Sequence, residues 1–314
     1  MSTDNTQPLS SAEPVPQPHG ASTIQRIASR PAEVGGIPIH RLLPSRHRRT
    51  IGAWCFLDHA GPSVFEAGHG MRVGPHPHIG LQTFTWMIQG EILHRDSLGN
   101  EQIIRPGQVN LMTAGRGISH TEESLAQEQQ LHATQLWIAL PPDSASCEPA
   151  FDHHPVLPRW SEGGCNLTLL AGAFKGHRSP VRLYSPLVGI DLASTHGGEV
   201  ELQLEPGFEY GIVGIEGDTH IANAERVAVN ELAYLGQGRT TLPLRLSPGG
   251  RAVLLGGEPW PHEILFWWNF VGHSKAEIAQ AQHDWETGHE RFGRVDGYDG
   301  PPMSAPPLPW ARKS

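Results

Sequence analysis

This chain is cut into short pieces by its own punctuation. Runs of bulky and β-branched residues are each closed by glycine or proline within a few positions, and no long stretch escapes. Glycine (36) and proline (28) together leave little room for long helices. Proline removes a backbone donor and glycine supplies turn conformations, so each piece reads as a strand ending in a turn. "LQTFTWMIQG" (Leu81 to Gly90) is one such strand. "GEILHRDSLGN" leads into a turn at Ser97 to Asn100. "EQIIRPGQVNLMTAG" reads as two strands broken at Pro106-Gly107, and "LHATQLWIALP" stops at Pro141-Pro142. The pattern resumes in "VRLYSPLVGIDLA", "GEVELQLEPG", "EYGIVGIEGDTHIA", "NELAYLGQG" and "RAVLLGGEP".

Strands at this spacing imply an all-β protein of two barrels or sandwiches in series. "LEPGFEYGIVGIEGDTHI" echoes "VGPHPHIGLQTFTWMIQGEIL" in its order of proline, strand, glycine turn and strand. The expected layout is a disordered tail over residues 1–20, a first barrel over 21–145, a second over 146–296, and a Pro-rich tail over 297–314. One short C-terminal helix is predicted over 274–288. Ser274 and Glu277 form a capping box, Ile278, Ala281 and Trp285 share a face, and Gly288 stops it. It is expected to pack on a barrel.

The formal net charge of −9 argues against a general affinity for nucleic acid or anionic membranes, both polyanions. The basic run "RHRRT" (Arg46 to Thr50) is taken as a solvated loop in preference to an anion site. Cys55, Cys147 and Cys165 form no CxxC pair and suggest neither a disulfide framework nor a thiolate metal site. The N-terminus is polar and Pro-rich, without the apolar core of a signal peptide. "ILFWWNFVG" is too short to span a bilayer. A soluble protein of a reducing, cytoplasmic compartment is expected.

Chemistry concentrates in two short motifs. In "GPHPHIG", His76 and His78 stand at i and i+2, and Pro77 favours an extended His76, so both imidazoles face one side of a strand. In "TAGRGISHTE", His120 and Glu122 repeat the arrangement. Two such pairs on neighbouring strands would bring three imidazoles and one carboxylate to one point. Nitrogen and oxygen donors without thiolate suit Fe(II), Mn(II), Ni(II), Cu(II) or Zn(II), and ligand type alone does not choose among them. A site with open positions is a catalytic rather than a structural one.

"HPHIGLQTFTWMIQGEILHRDSLGN", "PGQVNLMTAGRGISHTEES", "QLWIALP" and "FVGHSKAEIAQAQHDWETGHERFG" together resemble the pirin family of the cupin superfamily. The resemblance covers nearly all of residues 25 to 310. It implies two cupin-type β-barrels in tandem, a bicupin. It implies one divalent metal per chain, expected to be Fe(II), in the first barrel on His76, His78, His120 and Glu122, with the second barrel metal-free. It implies either of two functions. One is a quercetin 2,3-dioxygenase acting on a small flavonol-like phenolic, with Glu122 as catalytic base. The other is an iron-dependent regulator that binds protein partners. The chain departs from the family at Gln82, where pirins often carry Glu. On a regular strand Gln82 would share the histidines' face.

The remaining candidates are assigned bland roles. His94 and Asp96 are read first as a hairpin turn capped by Asp96, and second as support for the site. His132 is expected to line the cavity, with His59 near its mouth. His153, His154, His177, His196, His220 and His262 are taken as surface residues. Trp54, Phe56, Phe84 and Trp86 are taken as barrel filling.

Overall fold

A computed structural model describes residues 9–10, 24–222 and 225–310. The described residues form two antiparallel barrels in tandem, with one α-helix near the C-terminal end. The expected tail over residues 1–20 otherwise falls outside the described residues, but Leu9–Ser10 pair with Leu265 and Phe266.

In the first barrel a seven-stranded sheet faces a four-stranded one. The larger sheet runs, in spatial order, through Ala150–His154, Val109–Thr113, Leu81–Gln89, Gln130–Ala139, Trp54–Val64, Ile37–Leu43 and Arg30–Val34. The smaller runs through Arg72–His78, Ile118–Ser124, Ile92–Asp96 and Glu101–Ile104. The Leu81–Gln89 strand shows how the sequence fills this shape. Leu81 joins an interior cluster with Phe56, Met112 and Trp137. Phe84 and Trp86 join the layer between the barrels. Both faces of this strand are covered, so it reads as a near-continuous apolar run. The second barrel repeats the plan, and its interior is packed with aliphatic side chains such as Leu169, Ile190, Leu202 and Leu254.

The chain crosses the expected boundary at both ends. Ala150–His154, assigned by sequence to the second barrel, pairs with Val109–Thr113 at the edge of the first. Gln25–Ala28, assigned to the first, pairs with Glu231–Gly236 in the second. Edge strands expose unpaired backbone groups, and each barrel covers one edge with a strand borrowed from beyond the boundary. The helix, expected within the second unit, packs on the first barrel. Ser274 accepts from Glu277 N–H at 3.1 Å and opens a helix over Lys275–Glu286. Glu277 reaches back to His273 N–H at 2.8 Å, one residue before the cap. Ile278 and Ala281, both fully buried, cluster with Phe270, Phe292 and Ile79, the residue after His78. The Pro-rich arm then lies across the first barrel's outer face, where Met303 N–H donates to Pro75 O at 2.8 Å.

Between the barrels lies one apolar layer. Trp54, Phe84 and Trp86 of the first unit meet Leu170, Val213 and Val253 of the second. These aromatics therefore join the barrels and do not fill one of them. Phe56 alone points inward, stacked on Trp137 at 4.0 Å. Trp54 Nε1–H is shared between Val188 O (3.3 Å) and Gly256 O (3.2 Å) of the second barrel. The "RHRRT" loop is not simply solvated. Arg48 lies over the Tyr234 ring at 3.6 Å and approaches Glu209 at 4.0 Å, which ties the loop to the second barrel.

Candidate metal centre

His76 and His78 occupy the end of the Arg72–His78 strand, and His120 stands directly across from His76 on Ile118–Ser124. Cross-strand partners project from the same face, so all three imidazoles enter the first barrel's interior. Their ring nitrogens lie within 4.8 Å of one another, and the three residues are at most 1 % exposed. Among the described residues no other His, Cys, Asp or Glu set converges in this way.

Hydrogen bonding sorts the nitrogens. His76 Nδ1 meets Gly74 O at 2.8 Å, and His78 Nδ1 meets Asn269 O at 3.0 Å. A carbonyl only accepts, so both Nδ1 atoms carry hydrogen and both Nε2 atoms hold a lone pair. His120 Nε2 stands 3.1 Å from His78 Nε2. His76 Nε2 is buried with no hydrogen-bond partner. Two lone pairs beside the His120 ring, that of His76 orphaned, fit a divalent cation that accepts them. Burial pushes all three imidazoles below their ordinary range, His78 to about 3. His76 is pushed further by His78, and His120 by His76. They are thus neutral, the form that binds metal.

Glu122 is buried on the same strand but is not part of this cluster. The ladder to Arg72–His78 slips by one residue here, because Gly74 and Pro75 together stand opposite Thr121 alone, a bulge that takes Glu122 out of register with the histidine pair. Burial pushes its carboxyl above the usual carboxylate range, against the nearby His94 and Thr85, which hold it down. Thr85 belongs to a polar belt across the opposite sheet. Arg41, Asp58, Gln135, Thr85, Asn110 and His153 are consecutive register partners. Arg41 grips Asp58 with two bonds of 2.7 Å, and Thr85 donates to Gln135 at 2.8 Å. An aromatic row lies beside the belt. Trp137 meets the His78 ring edge-on at 5.2 Å, and Phe151 stacks on His94 at 4.3 Å.

Several expected positions move. Gln82 does not share the histidines' face. Gly80, at φ +68, turns the chain between His78 and Leu81, and the next strand joins the other sheet, so the alternation does not carry across. The Gln82 amide donates to Thr113 Oγ1 (2.9 Å) and Arg182 O (3.2 Å), the latter just before the second barrel's Leu187–Ser194 strand. His132 and His59 do not line the cavity or its mouth. They bond each other at 2.8 Å, with His59 on Asn230 of the second barrel at 2.5 Å. Inward places on the Gln130–Ala139 strand go to Gln135 and Trp137 instead. His153 and His154 are half-buried in the edge strand, with His153 on Asn110 at 2.7 Å. His177 stacks on Trp160 at 4.7 Å.

One contributor was not foreseen. Asn269, 191 residues beyond His78, supplies the carbonyl that fixes that ring. The only sequence signal was an asparagine inside the apolar run "ILFWWNFVG".

Two family models match the chain: Pirin over residues 36–138 and Pirin C-terminal cupin domain over residues 189–293. A protein of Pseudomonas aeruginosa, named as a candidate quercetin 2,3-dioxygenase, is 62% identical over 303 residues, covering 96% of each chain. A pirin-like protein of Caulobacter vibrioides is 36% identical, over 85% of this chain and 94% of its own. Among solved structures, a quercetin 2,3-dioxygenase from Acinetobacter baumannii superposes with a TM-score of 0.89 at 47% identity. It covers 92% of this chain and 97% of its own.

Proposed function

This chain belongs to the pirin family, and from that premise we propose that it is an Fe(II)-dependent dioxygenase acting on flavonol-like phenolics. The observation that carries the reading is the set of three neutral imidazoles whose Nε2 atoms converge in the barrel beside a buried carboxyl. His76, His78 and His120 would hold the metal, and Glu122, which stands outside their cluster, would have to move toward it to serve as the fourth ligand. When bound, the metal supplies a Lewis acid for adjacent hydroxyl and carbonyl oxygens and a path for electrons to O₂. Glu122 is the base for the substrate's hydroxyl proton. Its depleted solvation raises its proton affinity toward the working range of a general base. The Trp137 and Phe151 rings, each with one face already stacked on Phe56 or His94, would border a planar substrate, and Thr85, Gln135 and Arg41–Asp58 would offer hydrogen-bond partners to its hydroxyls. The buried walls exclude water from the reacting groups.

The reading is tested by loading the protein aerobically with Fe(II), adding quercetin, and following flavonol absorbance together with O₂ uptake. Coupled loss of both, abolished in His78→Ala, is the expected result. Metal binding without O₂ uptake would reject the enzyme and favour an iron-binding regulator.

A further inference from the structure

The three imidazoles are not held alike. His76 and His78 each give their Nδ1–H to a backbone carbonyl, which fixes the tautomer because a carbonyl only accepts. His120 has no carbonyl. Its Nδ1 faces the Nδ1 of His94 at 3.3 Å. A histidine nitrogen is donor or acceptor according to its other side, so the tautomer of His120 is decided beyond His94.

His94 Nε2 lies 3.1 Å from Asp96 Oδ2. Asp96 is itself committed as an acceptor. Its Oδ1 takes Leu98 N–H (2.9 Å) and Asn100 N–H (3.1 Å) at the hairpin turn. The Asn100 side-chain amide lies within 3.1 Å of Oδ1 and 2.9 Å of Oδ2. With donors on both oxygens, the carboxylate demands a hydrogen from His94 Nε2. His94 then presents a lone pair at Nδ1, His120 donates its Nδ1–H into it, and the His120 lone pair is left on Nε2, facing His78. The ring cannot easily turn away. His94 is 3% exposed and is stacked on Phe151 at an interplanar angle of 13°. Strand pairing fixes the rest, since His120 is the register partner of Asp96 and Glu122 that of His94.

We infer that Asp96 and His94 are positioning residues that set the tautomer of His120 for metal binding. The turn capping read from sequence and the support of the site are thus one arrangement, with Oδ1 taking the turn's backbone N–H groups and Oδ2 facing His94. The inference rests on the metal-centre reading, and the experiment separates the two.

The informative change is Asp96→Asn. Its oxygen can still cap the turn, but its amide becomes a donor toward His94 Nε2. His94 must then turn Nδ1–H toward His120, which places the His120 hydrogen on Nε2, in the metal's position. Co(II) serves as the probe, with its dissociation constant measured by chelator competition. The hyperfine-shifted imidazole N–H signals are counted by proton NMR. Wild type should bind Co(II) and show three exchangeable imidazole signals. Asp96→Asn should bind roughly 10- to 100-fold more weakly, with one of the three signals lost or displaced. His94→Phe keeps the stacking on Phe151 but removes the acceptor, and should weaken binding similarly if Asp96→Asn fails to fold. Adding His94→Gln to Asp96→Asn should restore affinity, because the new side-chain oxygen accepts from His120 whatever stands at position 96. A purely structural role would not be rescued in this way. Unchanged Co(II) affinity with all three signals in Asp96→Asn, or weakening that the added His94→Gln does not reverse, would overturn the relay alone. Failure of wild type to bind Co(II) would overturn the metal centre and the relay with it.

Discussion

The metal-free protein should be markedly less stable in mild acid, and the three site histidines should carry much of the loss. Each imidazole titrates near 6.5 in the unfolded chain, and burial holds it lower in the folded one, His78 at about 3. Between these values the unfolded chain binds more protons, so stability is complete above about pH 6.5 and falls as pH drops toward 3. From about pH 7.5 to about pH 5.5, an imidazole kept neutral by the fold costs about 1.4 kcal/mol. Three of them cost about 4 kcal/mol, a large part of the stability of an ordinary domain. His59 and His132 are also pushed down by burial and add to the wild-type loss, so the measurement is made by difference. Chelator-treated wild type and His78→Leu are each unfolded in denaturant at the two pH values. The variant should lose about 1.4 kcal/mol less on acidification than wild type. If the two proteins respond identically, His78 takes up its proton while folded, and the closed, neutral cluster is refuted.

His120→Ala should remain folded yet hold no stoichiometric metal, checked by elemental analysis after Fe(II) loading and gel filtration. Glu122→Gln should retain some metal on the imidazoles but lose roughly 100-fold or more in quercetin turnover, the scale of a removed general base. Gln82→Glu should leave the metal's reduction potential unchanged, because residue 82 faces Thr113 and Arg182 away from the cluster. It should cost about 2 kcal/mol of stability, since a carboxylate cannot donate to the Arg182 carbonyl. Redox titration and denaturant unfolding of the purified variant check the two halves separately.

What the sequence made legible was whatever obeys a local period. HxH and HxE are strand signatures, and the strand around His76 and His78 does project both into the barrel. The helix followed from its cap and its apolar face, with Ser274 and Ile278 where the pattern requires them. Legibility failed where a period is interrupted. Gly80 separates His78 from Gln82 and cancels the parity that would have placed the amide beside the metal. A bulge at Gly74-Pro75 in the neighbouring strand shifts Glu122 out of register with the histidine pair, though Glu122 keeps its period with His120. It failed again where partners are far apart in the chain. Nothing near His59 announces Asn230, and nothing near Val109 announces the edge strand that follows the apparent end of the barrel.

The same non-local logic explains why a first barrel that holds the cluster needs the rest of the chain. Arg72–His78 ends at the barrel rim, where its last imidazole requires an acceptor for Nδ1–H. The hairpin of Leu265–Trp267 and Phe270–Gly272 supplies it from beyond the second barrel. Its two-residue turn places Trp268 at φ +52, a left-handed conformation that costs a non-glycine residue roughly 1–2 kcal/mol. Surrounding contacts hold it there. Val271 N–H donates to Ile79 O at 3.2 Å, and Phe270 is buried against Ile79 and Phe292. Ser119, beside His120, donates to Phe292 O at 2.8 Å. The hairpin is therefore anchored beside His78, and Phe292, packed on Phe270, is anchored beside His120, one residue away from a histidine in each case. A strained turn that offers its carbonyl to His78 while its neighbours grip both strands is best understood as part of the metal centre's scaffold. The second barrel, whose own interior is aliphatic, serves the site by delivering that segment to the first.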